Sequence, residues 1–153
     1  MNLFPWRKKK EFFTEEEKGR LVEAIRMAEQ HTSGEVRVFI ESKCRFMDAL
    51  DRAREIFLQL KMSETGLRNA TLIYVAVKDK QAAVFGDEGI HQKVGQEYWE
   101  STVNRMLTRF REQKLADGIC QAIADLGDAL QSYFPYDQQT DKNELPDEIV
   151  FGR

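Results

Sequence analysis

The sequence predicts an α/β fold, a three-layer α/β/α sandwich with a small mixed sheet. Three observations carry that prediction. Residues 35–41 alternate, with Val36, Val38 and Ile40 on one face and Glu35, Arg37, Phe39 and Glu41 on the other, as in a strand. Residues 71–77, TLIYVAV, form a near-continuous apolar run of strand length, which suits a central strand covered on both faces. Between them Ala49, Leu50, Ala53, Ile56, Phe57 and Leu60 recur at a spacing of three and four, the pattern of a helix with one apolar stripe. A strand–helix–strand order needs a crossover, so these two strands are expected parallel and their connection right-handed.

The elements follow in order. Thr14-Glu15-Glu16-Glu17 is a capping box, and its acids suit the positive end of a helix dipole. Leu21, Ala24, Ile25 and Ala28 continue the helix to about residue 30, and Thr32-Ser33-Gly34 ends it. After the first strand and second helix, residues 61–69 contain Ser63, Gly66 and Asn69 and read as a loop. The central strand is followed by the polar turn Lys78-Asp79-Lys80-Gln81 and a short hairpin strand over residues 82–85. Gly86-Asp87-Glu88-Gly89 reads as a loop. Trp99, Val103, Met106, Leu107 and Phe110 mark the next helix. Asp117 is expected to cap the last one, whose stripe runs from Ile119 to Phe134 before Pro135 stops it. Three regions result: a basic arm over residues 1–12, the domain over 13–136, and an acidic tail over 137–153 ending in apolar Ile149-Val150-Phe151.

Composition narrows the function classes. At 153 residues and 42% hydrophobic, the chain can bury a single core without staples. A net charge of −3 argues against nucleic-acid binding by a general basic field. Cys44 and Cys120 lie far apart and offer no zinc spacing. No apolar run of membrane-spanning length is present, so no transmembrane anchor is expected. The N-terminal cluster Arg7, Lys8, Lys9 and Lys10 follows Phe4 and Trp6, the reverse of a secretory signal, and a cytoplasmic location is expected.

Topology points to where chemistry could sit. Parallel strands one and two start at the same sheet edge, and a hairpin brings strand three back to it. Thr32-Ser33-Gly34-Glu35, Arg68-Asn69-Ala70-Thr71 and Gly86-Asp87-Glu88-Gly89 should therefore cluster. Glu35, Asp87 and Glu88 supply carboxylates, and Ser33 and Asn69 supply hydroxyl and amide oxygens. Such a set suits a hard cation, Ca²⁺ or Mg²⁺. It could equally serve acid–base chemistry, and the same loops are also ordinary turn chemistry. Cys120 reads as a packing residue, His31 as a helix-end residue, and His91 as a neighbour of the acidic loop. A phosphate-binding P-loop and a dinucleotide fingerprint are both absent.

Three segments together resemble the TPM domain family, the thylakoid acid phosphatase-like domain. They are FFTEEEKGRLVEAIRMAEQHTSGEVRVFIES, RNATLIYVAVKDKQAAVFGDEGI and REQKLADGICQAIADLGDALQSYFP. The tail Asn143-Glu144-Leu145-Pro146-Asp147-Glu148-Ile149 resembles the family's short cytosolic bacterial branch. The resemblance implies an α/β/α sandwich, divalent-cation binding and, in plant members, acid phosphatase activity. It carries over Glu35, Asn69, Asp87 and Glu88, and also Asp79, which topology puts at the opposite edge. The sequence departs from the pattern after Gly89, where Ile90-His91-Gln92 supplies no further acid. The expectation is a Ca²⁺- or Mg²⁺-binding module that engages another protein. The alternative is a metal-assisted phosphatase, against which stands the shortage of a cationic clamp beyond Arg68 and Arg37.

Overall fold

The computed structural model describes residues 12–136 and 149–152. The basic cluster at residues 7–10 and the acidic stretch at 137–148 lie outside the described residues. Helix α1 (Glu15–Glu29) opens with the expected capping box: the Thr14 hydroxyl accepts from Glu17 N–H, and Thr14 N–H donates to the Glu17 carboxylate. Strand β1 (Glu35–Glu41), helix α2 (Ala49–Gln59), strand β2 (Ala70–Ala76) and strand β3 (Gln81–Gly86) follow as the periodicities require. Helices α3 (Glu88–Val94), α4 (Gln96–Arg111) and α5 (Leu115–Tyr133) come next, and strand β4 (Ile149–Phe151) ends the described chain.

The sheet order is β3-β2-β1-β4. β1 and β2 are parallel, with Glu35 beside Ala70, and β3 returns antiparallel, with Gly86 beside Thr71. β4 lies parallel to β1, so the apolar tail docks on its own domain. Val36, Val38, Ile40, Ile73, Val75 and Val84 form one face and bury against α1, α4 and α5. Leu72, Tyr74 and Ala83 form the other and bury against α2. The sandwich expected from sequence is thus observed, with unequal layers: three helices on one side and one on the other. Among the described residues no helix is long and apolar enough to cross a membrane.

Two local expectations are corrected. The Gly86–Gly89 stretch is not wholly loop, because Asp87 caps the seven-residue helix α3. Asp117 is not a cap. Gln113 takes a left-handed φ of 63°, which reverses the chain at once, so α5 begins at Leu115. Asp117 falls inside the first turn and pairs with Arg20 of α1 at 2.6 Å. That pair holds the Asp117 carboxyl below, and the Arg20 guanidinium above, their ordinary ranges.

Candidate functional site

The three predicted loops meet at one edge of the sheet. Glu35 N–H donates to Asn69 O at 3.4 Å, and Asp87 N–H donates to Ala70 O at 2.9 Å. The loop before β2 therefore lies between the other two. Two strand spacings separate the backbones of Glu35 and Asp87, about 10 Å. Asn69 occupies the gap.

Asn69 is fully buried, and its amide Nδ2 donates to the Ser33 hydroxyl at 3.3 Å. Its amide oxygen has no hydrogen-bond partner among the described residues, and neither have the hydroxyls of buried Thr65 and Thr71. A buried acceptor without a partner is costly. Asn69 Oδ1 thus marks a place suited to a water or a cation.

Asp87 is buried and clamped. Arg68 Nε donates to one carboxylate oxygen at 2.6 Å and Nη2 to the other at 2.8 Å, and Glu88 N–H adds a third bond at 2.8 Å. This fork-to-carboxylate geometry is the strong form of the ion pair. The Asp87 bonds hold the Arg68 guanidinium above its ordinary range. Arg68 itself has a left-handed φ of 53°. Gly89 explains how the loop comes so close: a Cβ there would stand 2.2 Å from Leu67 O and 2.6 Å from Arg68 O. Only glycine fits the approach.

The other candidates divide. Glu35 is buried on the α2 face of β1, and Arg37 is buried two residues along the same face. Glu88 is exposed. His91 lies in α3, stacks on Trp99 and accepts its indole N–H at Nδ1, 2.8 Å away. Asp79 sits at the opposite edge, as expected, where it accepts Cys44 N–H. Cys44 and Cys120 are free thiols, and burial raises the thiol of Cys120. Among the described residues no group of three or more His, Cys, Asp or Glu converges to hold a metal ion.

A groove of about 360 Å³ opens beside Asp87, with Arg54 of α2, Arg68, His91 and Trp99 in its walls. Arg54 escaped sequence reasoning. It lies on the flank of α2, and only the approach of α2 to β3 brings it to the groove. Trp99 was read as core, which it is, yet its indole edge also reaches the groove.

The TPM domain model matches residues 7–129. The chain belongs to the TPM domain family. Among solved structures, BA42 from the psychrophilic bacterium Bizionia argentinensis is 42% identical and superposes with a TM-score of 0.85, covering 95% of this chain and 99% of BA42. The N-terminal domain of a P. gingivalis protein shares the fold at 13% identity and a TM-score of 0.62, covering 80% of this chain and 78% of that one. The N-terminal domain of cg2496 from Corynebacterium glutamicum does so at 11% identity and a TM-score of 0.58, covering 79% and 76%. No curated protein matches the sequence. The TPM fold thus accounts for the topology that gathers the three loops.

Proposed function

We propose that this TPM domain is a divalent-cation-binding module, selective for Ca²⁺ or Mg²⁺, that engages a partner protein through the Asn69 edge. The observation that carries the reading is the unpartnered amide oxygen of buried Asn69, set between Glu35 and the Asp87–Glu88 pair. In this reading Arg68 is a resident stand-in for the cation. Its guanidinium neutralises Asp87, and its side chain is exposed enough, at 43%, to swing away. A cation would then be held by Asn69, Asp87 and Glu88, with Ser33 and Glu35 flanking. Leu67, 58% exposed beside Arg68, gives a partner an apolar contact at the same rim. Two free thiols agree with a cytoplasmic setting.

The test is an NMR titration with CaCl₂ on the full chain. Amide shifts should concentrate in residues 33–35, 68–70 and 86–90, and Asp87→Asn should weaken them at least tenfold. Shifts elsewhere, or none at millimolar Ca²⁺, would refute the site.

The phosphatase alternative gains one specific support, the pair of arginines in the groove. Arg54 and Arg68 line the same groove, and a guanidinium fork matches phosphate geometry. Turnover of p-nitrophenyl phosphate with Ca²⁺ or Mg²⁺ should then vanish in both Asp87→Asn and Arg54→Ala. Turnover that persists in both would belong elsewhere.

A further inference from the structure

The opposite edge of the sheet carries a surface that neither reading above uses. β1 ends there at Glu41, and β2 turns into β3 through Lys78, Asp79 and Lys80. The two loops form one unit. Val77 N–H donates to Glu41 O at 2.9 Å, Lys78 N–H to Ser42 O at 2.8 Å, and Cys44 N–H to the Asp79 carboxylate at 2.8 Å. Beneath them Arg52 grips the buried Glu41 carboxylate through Nε at 2.9 Å and Nη2 at 3.0 Å, and the Tyr74 hydroxyl donates to it at 2.5 Å. The platform is therefore fixed.

Phe46 stands out from this platform. It is 99% exposed, and its φ is 70°. Left-handed backbone is unfavourable for an aromatic residue, and a ring wholly in water gains nothing from burial. Strain of this kind, at an exposed apolar tip, points to a role outside the fold itself. Met47 beside it is 37% exposed. Lys43 and Arg45 flank Phe46 in the loop, and Lys80 follows Asp79 in the neighbouring turn; of the acids nearby, Glu41 and Glu55 are held by Arg52, Asp48 accepts Asp51 N–H and Asp79 accepts Cys44 N–H. In a chain of net charge −3, an exposed aromatic ring thus stands beside two cations, Lys43 and Arg45, while the nearby acids are already engaged.

We propose that the Phe46 loop is a membrane-docking finger: Phe46 and Met47 enter the acyl boundary of an anionic bilayer while Lys43, Arg45 and Lys80 lie against its headgroups. A crevice of about 780 Å³ adjoins the loop. Phe46 and Met47 form part of its rim together with Lys43 and Arg45. A ring exposed to 99% and flanked by Lys43 and Arg45 fits the boundary of an anionic bilayer. Each cation near an anionic surface is worth about fivefold in affinity, and salt screens it. One ring and three cations give weak, reversible attachment.

The test is sedimentation of the full chain with vesicles of phosphatidylglycerol and phosphatidylcholine, against phosphatidylcholine alone. Retention is expected on the anionic vesicles only, lost in high salt, and reduced at least tenfold in Phe46→Ser and in the double variant K43E/R45E. Phe46→Gly separates binding from folding. It relieves the left-handed strain and should raise Tm by about 2–4 °C while vesicle affinity falls. Absence of retention, or equal retention on neutral vesicles, overturns the proposal. So does retention that survives these variants but disappears when residues 7–10 become Gln. Displacement by millimolar glycerol phosphate, or binding to polyglutamate without binding to vesicles, overturns it as well.

Discussion

Arg68 and Asp87 show how one residue pair sets the character of the Asn69 edge. The carboxylate is buried and the guanidinium is half in water, so the two partners respond differently to loss. Arg68→Ala leaves a buried carboxylate with only its capping bond, and should cost about 1–3 kcal/mol in urea unfolding. Asp87→Asn keeps a competent cap for α3 and removes the charge, so its cost should be smaller. Cys120 gives a second residue-scale prediction. Burial holds its thiol above the ordinary range, so alkylation followed by mass spectrometry at pH 8 should be slow until the chain unfolds. Sequence had assigned Cys120 to packing from its place beside the α5 stripe. It had also brought Arg68, Asn69 and Asp87 to one edge, because parallel strands and a hairpin leave no other arrangement. The pairing itself was not legible, since no periodicity links residues 19 apart. The burial of Glu35, Arg37 and Glu41 was equally hidden: alternation shows that they share a face, not that the face is covered.

Helices α1 and α5 meet at a close seam in the larger layer. A Cβ at Gly127 would stand 2.8 Å from Ala28 Cβ and 2.9 Å from its Cα. Gly127→Ala should therefore destabilise by about 1–3 kcal/mol through overpacking. Gly19, exposed in α1 with nothing within 4 Å, should behave oppositely. Gly19→Ala should stabilise by about 0.5–1 kcal/mol, because alanine loses less backbone freedom in a helix. Thermal unfolding of both variants checks the opposite signs. Elements long enough to repeat a pattern were legible from sequence: α1, α2, α4, α5, β1 and β2 all carry two or more turns or alternations. α3 was not, because seven residues give too few repeats and Asp87 also reads as a turn former. β4 was recognised as apolar, but three residues do not say which strand they join. The start of α5 was misjudged because Asp117 looks like a cap, while the left-handed Gln113 had already turned the chain.

At the scale of the whole molecule, the second layer rests on a buried tyrosine. Burial, then the bond to Glu41, push the Tyr74 hydroxyl far above its ordinary value, and burial also raises Tyr98. A tyrosine raised in the folded state favours folding fully below its unfolded value, near 10, and loses that contribution as pH rises beyond it. Tm should hold between about pH 7 and 8, begin to fall near the ordinary thiol value as Cys120 contributes, and fall further above about 10. Phenolate absorbance should show Tyr74 and Tyr98 ionising only with unfolding. Tyr74→Phe should flatten part of the fall, at a cost of about 1 kcal/mol at neutral pH from the lost bond to Glu41. The same sheet that buries Tyr74 carries the Asn69 edge, where Arg68 is read as the stand-in for a divalent cation. Calorimetric Ca²⁺ binding to Arg68→Ala, compared with the unaltered chain, tests that reading most directly. Removal of the competing guanidinium should tighten Ca²⁺ about tenfold, with the gain abolished when Asp87→Asn is added. Unchanged or weaker binding in Arg68→Ala, or a gain that survives Asp87→Asn, would contradict it.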